Sequence, residues 1–301
     1  MFYNQMNQVR RWWFDRRTRG VLRSPLLVLG DAAAPAVLSL LQHKDVLMYL
    51  AAVKSFARQL PPGEVHILDD GSLTTADRAL LAQHIPAIRF HALSECREPG
   101  LPQGACWERL IAIARLSRTR YVIQLDADTL TLAPIGEVAA AVRQGQSFAI
   151  GTWDEQGIEA ATERAQRAQK RMAGDARPHV QLLAEAHFDR IQGAETLKYV
   201  RGCAGFSGFA AGAGKIELML ELSKQLQALI GERWMEWGSE QVMSNLVVAN
   251  QPDAMVLPHP DYADCEKMRL ESTRFIHFIG TCRFRKGVYA RLIRRFDWGK
   301  A

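Results

Sequence analysis

Short apolar runs rich in β-branched residues alternate with amphipathic stretches along most of the chain, which is the pattern of βαβ units built around a largely parallel sheet. The run Ala36–Leu41 predicts the first strand, and 46–59 the helix that follows it. Pro61-Pro62-Gly63 then breaks the chain ahead of a strand over 65–68. Residues 75–84 read as a helix with Thr74 or Thr75 as its N-cap, and 88–92 as the next strand. A helix around 107–116 feeds an apolar, β-rich strand that starts at Tyr121. Beyond it the pattern predicts a helix over 135–143, a strand over 147–152, a Gly-rich strand region over 199–211, and helices over 215–230 and 240–249. The polar, Ala-rich and Gln-rich stretch 155–198 interrupts the alternation and predicts an inserted helical pair. The expected architecture is one α/β domain over 31–301, preceded by a basic and aromatic arm over 1–30.

Composition fits this picture. A chain of 301 residues with 48% hydrophobic content can bury a large core. The balance of 38 basic against 32 acidic residues leaves a formal charge of +6. That excess suits anionic partners such as nucleotide diphosphates or an acidic membrane surface, and it is too small and dispersed for nucleic acid. Five cysteines at 96, 106, 203, 265 and 282 show no Cys-x-x-Cys spacing, so they read as reduced thiols, with neither a zinc site nor a disulfide framework. The amino terminus lacks the unbroken apolar core of a secretion signal, and the apolar stretch 21–41 contains Arg23, Pro25, Asp31 and Pro35, which makes it a poor membrane span. The expectation is a soluble, cytoplasmic protein. The run Arg10-Arg-Trp-Trp-Phe-Asp-Arg-Arg-Thr-Arg19 suits a lipid interface, or else a solvated arm that packs a tryptophan on its own domain.

The candidate chemistry starts where the strand from Tyr121 stops on Asp126 and Asp128. Side chains two apart in an extended segment point the same way, so the pair can close on one divalent cation. The competing reading is a turn at a strand end, where Asp is common. Asp69 and Asp70, followed by Gly71 and Ser72, end an earlier strand on the sheet edge where open α/β folds bind ligands. One of them could hydrogen-bond the base or ribose of a nucleotide, or both could simply serve an Asp-Gly turn.

The segment from Ala105 through Arg109, followed by Arg120-Tyr-Val-Ile-Gln-Leu-Asp126-Ala-Asp128, resembles the central block of the family 8 glycosyltransferases. Downstream, Arg274-Phe-Ile-His277-Phe-Ile-Gly280-Thr-Cys-Arg283 resembles that family's closing His-x-x-Gly-x-x-Lys, and Gly238-Ser-Glu240-Gln241-Val-Met-Ser-Asn245 is similar to its Asp-Gln-x-x-x-Asn. The three matches occur in the family's order between about residues 36 and 287, and the likeness is patchy from 154 to 198. There are departures. Arg283 replaces Lys, Glu240 replaces Asp, and the Pro-Trp that follows the closing Lys is missing. Asp69-Asp70-Gly71-Ser72 instead resembles the Asp-Asp-Gly-Ser of family 2 enzymes, which mostly invert.

The resemblance implies a GT-A-like (Rossmann-like) fold with a mixed, mostly parallel sheet flanked by helices. It implies a metal-dependent transferase that takes a sugar from a nucleotide-sugar donor, UDP-linked rather than GDP-linked, with retention. Asp126, Asp128 and His277 would hold Mn²⁺, or Mg²⁺ as a substitute. Arg283, Arg285 and Lys286 would meet the diphosphate, Arg109 the donor phosphate or sugar, and Asp69 or Asp70 the nucleoside. Glu240 and Gln241 would stand at the reacting carbon. The acceptor, whether carbohydrate, lipid-linked or protein, is expected to meet the 155–198 insert, and the arm allows a peripheral contact with the inner face of a membrane. Under family 2 logic the outcome is inversion, with Glu240 or Glu236 as base. Equally, Glu236 and Glu240 could be first-turn acids that complement a helix dipole, and Arg109 a solvated helix arginine. A non-catalytic nucleotide-sugar-binding protein on the same fold is a further alternative. A haloacid dehalogenase-type phosphatase is disfavoured because Leu130 and Leu68 occupy places where its pattern needs other residues.

Overall fold

The computed structural model describes residues 2–280 and 282–299, with side chains from Gln8 onward. In chain order the elements begin with α1 (Phe2–Thr18), β1 (Ala36–Leu41), α2 (Val46–Ala57), β2 (Glu64–Asp69), α3 (Thr75–His84) and β3 (Arg89–Ala92). They continue with α4 (Trp107–Leu116), β4 (Val122–Leu125), β5 (Thr129–Thr131), α5 (Gly136–Gln144), β6 (Phe148–Ile150), β7 (Glu159–Ala160), α6 (Ala161–Met172) and α7 (Val180–Glu185). The last are β8 (Lys198–Tyr199), β9 (Cys203–Phe209), α8 (Ile216–Ile230), α9 (Ser239–Ala249), β10 (Met255–Leu257), β11 (Tyr262–Asp264), β12 (Phe275–His277) and α10 (Val288–Ile293). The class is mixed α/β, mainly parallel strands with helices on their faces. By contact the chain divides into two compact units. Of the sequence ranges drawn above, Met1 of the arm and Thr281, Lys300 and Ala301 of the domain lie outside the described residues.

The first unit comprises residues 1–90, 125–135 and 260–301. Its strands β1 and β2 are parallel, in register from Ala36 opposite Glu64 to Leu41 opposite Asp69. Helix α2 is buried almost all round, from Val46 to Phe56, as expected of a helix that is apolar on every face. Its Ser55 hydroxyl accepts from Thr131 N at 3.2 Å, which fixes β5 against it. Helix α3 starts on a full capping box in which the Thr74 hydroxyl and the Asp77 carboxylate satisfy each other's backbone N–H groups. A small second sheet has β12 in the middle, antiparallel to β5 and parallel to β11.

The second unit comprises residues 91–124 and 136–259. Here β10 and β6 are parallel and β6 and β9 antiparallel. Trp107 at the start of α4 donates from its indole N–H to the Ser239 hydroxyl of α9 at 2.9 Å, and its ring meets Trp234 edge-on at 5.6 Å. Gly214 lets the chain pass close over α4, since a Cβ there would lie 1.7 Å from Ala114 O. Within 155–198, α6 and α7 are tied by Arg164, which reaches the fully buried Glu185 at 3.0 Å, and Tyr199 donates to the same carboxylate at 2.9 Å. Among the described residues no helix is long and apolar enough to cross a membrane.

Candidate metal and donor site

Strand β4 ends at Leu125, and Asp126, Ala127 and Asp128 form the turn that leads into β5. This corrects the expectation of an extended Asp-x-Asp: the two acids converge through a turn rather than through the two-residue repeat of a strand. The turn is held by the Thr129 hydroxyl, which donates to Asp126 O at 2.8 Å. His277 closes β12 and stands opposite Thr129 in the antiparallel ladder, so the register carries the imidazole to the acids. Phe278 N then donates to Asp128 O at 2.7 Å. Nε2 of His277 lies 3.3 Å from Asp128 Oδ1 and 3.9 Å from Asp126 Oδ2. One ligand atom from each of the three residues falls within 4.8 Å of the others, the span of a single-ion site. Asp128 and His277 are each 10% exposed and Asp126 is 22% exposed.

The site is charge-balanced by Arg283, whose Nη2 donates to Asp128 Oδ2 while its Nε donates to Phe278 O at 3.1 Å. Burial alone would push the Asp128 carboxyl up. The charge and hydrogen bond of His277, with Arg283 behind them, instead bring it down to about 2. With Oδ2 taken by Arg283 and Oδ1 turned to His277, a cation would enter on the Oδ1 side. Two carboxylates and one imidazole form a donor set that suits Mn²⁺ or Mg²⁺. Behind the ring, Tyr289 donates to Thr129 O at 3.2 Å and stacks on Phe278 with centroids 3.9 Å apart. The sequence pattern did not mark Tyr289, and it marked Arg283 for a phosphate rather than for Asp128.

Cys265 and Cys282 form a disulfide with their Cα atoms 6.0 Å apart, which corrects the reading of five reduced thiols. The cause is strand pairing. Cys265 follows β11, its N–H donates to His277 O at 3.0 Å, and the parallel β11–β12 pair brings the two stretches together across a separation of 17 residues. Cys96, Cys106 and Cys203 take part in no disulfide among the described residues.

Other candidates in this unit serve their own turns. The Asp69 carboxylate is 5% exposed, accepts from Gly71 N at 2.8 Å and Leu73 N at 3.2 Å, and pairs with Arg78 at 2.5 Å. Asp70 accepts from Ser72 N at 3.0 Å and from its hydroxyl at 2.5 Å. Gly71, at φ +94°, makes this turn possible. Arg285 and Lys286 are exposed on the short 3₁₀ turn 285–287 that follows Arg283.

In the second unit, Arg109 of α4 and Glu240 of α9 form an ion pair at 3.1 Å, their side chains 5% and 4% exposed. Arg109 is therefore a buried helix arginine rather than a solvated one. Gln241 and Asn245 both donate to Gly202 O, at 2.6 and 3.3 Å. Glu236 is held by Arg233 at 2.8 and 3.1 Å. Thus the structure brings Asp126, Asp128, His277 and Arg283 into one cluster, and Arg109 and Glu240 into another.

No protein-family model matches this chain, and no curated protein sequence does. Solved structures do. An active-site mutant of LgtC matches with a TM-score of 0.52 at 12% identity, over 86% of this chain and 94% of that one. The bifunctional glycosyltransferase WbbM, in its apo form, matches with a TM-score of 0.51 at 13% identity over 91% of this chain. The present chain spans 52% of WbbM, about half its length. At such identities the likeness is one of architecture, and the architecture is that of the GT-A-type glycosyltransferases.

Proposed function

We propose that this protein is a metal-dependent glycosyltransferase that moves a hexose from a UDP-linked donor to a carbohydrate, lipid-linked or protein acceptor, with retention. The observation that carries the reading is the ring of Asp126, Asp128 and His277 in a GT-A-type fold. Those three residues would hold Mn²⁺, or Mg²⁺ in its place. Bound there, the ion would supply Lewis-acid stabilisation of the departing diphosphate. Arg283, poised on Asp128, and the exposed Arg285 and Lys286 bring three more positive charges to the same end of the chain, so no proton donor is needed for that leaving group. Asp69 and Asp70 are proposed at the nucleoside, and Glu240 with Gln241 at the reacting carbon. The pairing of Arg109 with Glu240 supports a role for this arginine in aiming the carboxylate, alongside its expected role at the donor. A cytoplasmic position, peripheral to the inner face of a membrane, is proposed from the positively charged amino terminus. The 265–282 disulfide withdraws the support that the cysteines lent to it.

A second reading, inversion on family 2 lines, draws on Asp69-Asp70-Gly71-Ser72 at the end of β2. The test is a screen of nucleotide sugars for metal-dependent donor hydrolysis, with Asp126→Ala as control and the anomeric proton of any product followed by NMR. Release of UDP that needs both the metal and Asp126 supports the proposal, and the product anomer separates retention from inversion. Metal-dependent UDP binding without turnover on any donor or acceptor would favour the non-catalytic alternative. Absence of metal-dependent nucleotide binding would overturn both.

A further inference from the structure

Helix α1 packs one edge on its own unit and turns an apolar stripe outward. Phe14, Thr18 and Val21 are buried at three-to-four-residue spacing, and the same rhythm continues through Ser24 and Leu27. On the opposite side Val9, Trp12 and Trp13 are 55%, 56% and 49% exposed and, with the exposed Arg16, follow the i, i+3, i+4, i+7 rule of a single stripe. Leu22, Leu26 and Val28 extend the exposed apolar surface at 38%, 54% and 68%. Six of the ten exposed large hydrophobic residues among those described thus fall between positions 9 and 28, a concentration that scattered surface apolar groups do not show.

The charges of this stretch are as one-sided as its apolar groups. Arg10, Arg16, Arg17, Arg19 and Arg23 are exposed, whereas the single acid, Asp15, is part-buried and Arg11 is bridged to Asp45 at 2.6 Å. Arg16 lies over the Trp12 ring at 5.7 Å and Arg17 over Trp13 at 5.4 Å. Cations set among exposed indoles match the interfacial layer of a bilayer, where indoles sit at headgroup depth and arginines meet phosphates.

We propose that α1 and the turn after it bind the surface of an anionic phospholipid bilayer. This deepens the peripheral placement above. Resting on the glycosyltransferase reading, it also favours the lipid-linked class of acceptor. The helix is no loose tether. Phe14 packs on Tyr289 at 4.9 Å and on Phe284 at 5.3 Å, and Tyr289 in turn holds Thr129 and Phe278, the neighbours of Asp128 and His277. A bilayer gripping the outer stripe would therefore fix the metal ring at a set height through two side chains.

The test uses the full chain without nucleotide or metal, so that it stands apart from catalysis. Co-sedimentation is measured with vesicles of phosphatidylcholine and of phosphatidylcholine mixed with phosphatidylglycerol. The wild type is expected to bind the mixed vesicles, weakly at high salt, with a blue shift in tryptophan emission. Arg10→Gln/Arg16→Gln/Arg17→Gln is expected to lower the partition on the order of 100-fold, and Trp12→Ser/Trp13→Ser to remove the emission shift. Both variants change exposed side chains and are expected to melt with the wild type. Absence of binding, binding that survives the arginine changes, or equal binding to neutral vesicles would each overturn the proposal. So would a vesicle-free dimer abolished by the tryptophan changes, which would make a second copy of the chain the occupant.

Discussion

Asp128→Asn is the most informative single change because it keeps the shape of the side chain and deletes the charge on which His277 and Arg283 converge. His277 and Arg283 hold the carboxyl down to about 2, below its ordinary value of 3.8, a difference worth roughly 2–3 kcal/mol of folding stability at neutral pH. Since the folded value lies below the unfolded one, that stability is complete above about pH 4 and is lost as the pH falls towards 2. Without metal the variant should melt about 5 °C below the wild type near neutrality, and the gap should close in strong acid. Added Mn²⁺ tests the ring itself. At a concentration of about 100 times its dissociation constant, a bound ion stabilises the wild type by about 2.7 kcal/mol. Loss of one direct ligand should weaken binding at least about 100-fold, leaving no more than about 0.4 kcal/mol in the variant at the same concentration. Scanning calorimetry with and without MnCl₂ gives the first reading, and titration calorimetry of UDP in Mn²⁺ the second. A full Mn²⁺-induced shift in Asp128→Asn, or an unchanged metal-dependent affinity for UDP, would refute the assignment. Asp70→Asn, whose carboxylate serves the Ser72 turn, should keep the shift intact.

Three other outcomes are expected. Alkylation of the unfolded chain without reductant should label three thiols out of five cysteines, and Cys265→Ser/Cys282→Ser should cost about 3 kcal/mol for a loop of this length; five labelled thiols would dispose of the bridge. Arg109→Met should cost about 3–5 kcal/mol by removing the buried cation that pairs with Glu240, and Arg109→Met/Glu240→Leu should recover most of it in urea melts; a double variant as unstable as the single one would contradict the pairing. Lys54 is 5% exposed, and burial with help from Arg58 lowers its amine to about 8, so folding favours the neutral form. Wild-type stability should therefore rise relative to Lys54→Met between about pH 8 and 10.5, by roughly 2–3 kcal/mol in total, as read from urea midpoints; parallel profiles would contradict this.

Local order was legible where local rules decide it. The strand Ala36–Leu41 and the helices Thr75–His84 and Trp107–Leu116 follow from apolar periodicity, and the N-cap at Thr74 from its residue type. An apolar run ending on two acids suggested a cation site at Asp126 and Asp128, whereas His277 joined them only through the resemblance to the family 8 glycosyltransferases, since a histidine inside an apolar run is by itself more often a core residue. What escaped depends on register between distant strands and helices. Arg283 reaches Asp128 across 155 positions, Arg109 reaches Glu240 across 131, and Cys265 meets Cys282 because β11 and β12 run side by side. No periodicity encodes such partnerships. The turn at Asp126–Asp128 escaped for a different reason: a two-residue spacing looks the same in a strand and in a turn.

The three-residue strand β12, paired on both edges, has a practical corollary. Sliding it by a single position would swing His277 to the far side of its sheet, so deletions within 273–277 should be intolerable to any ion-dependent property. The neighbouring segment is the reverse. Residues 269–272 are largely solvent-facing, lie outside both ladders, and are flanked by the 265–282 crosslink, and lengthening such a loop is thermodynamically cheap, about 0.6 kcal/mol per doubling. An affinity tag or a fluorophore inserted at Leu270 or Glu271 would report on the neighbourhood of the imidazole while leaving its alignment intact.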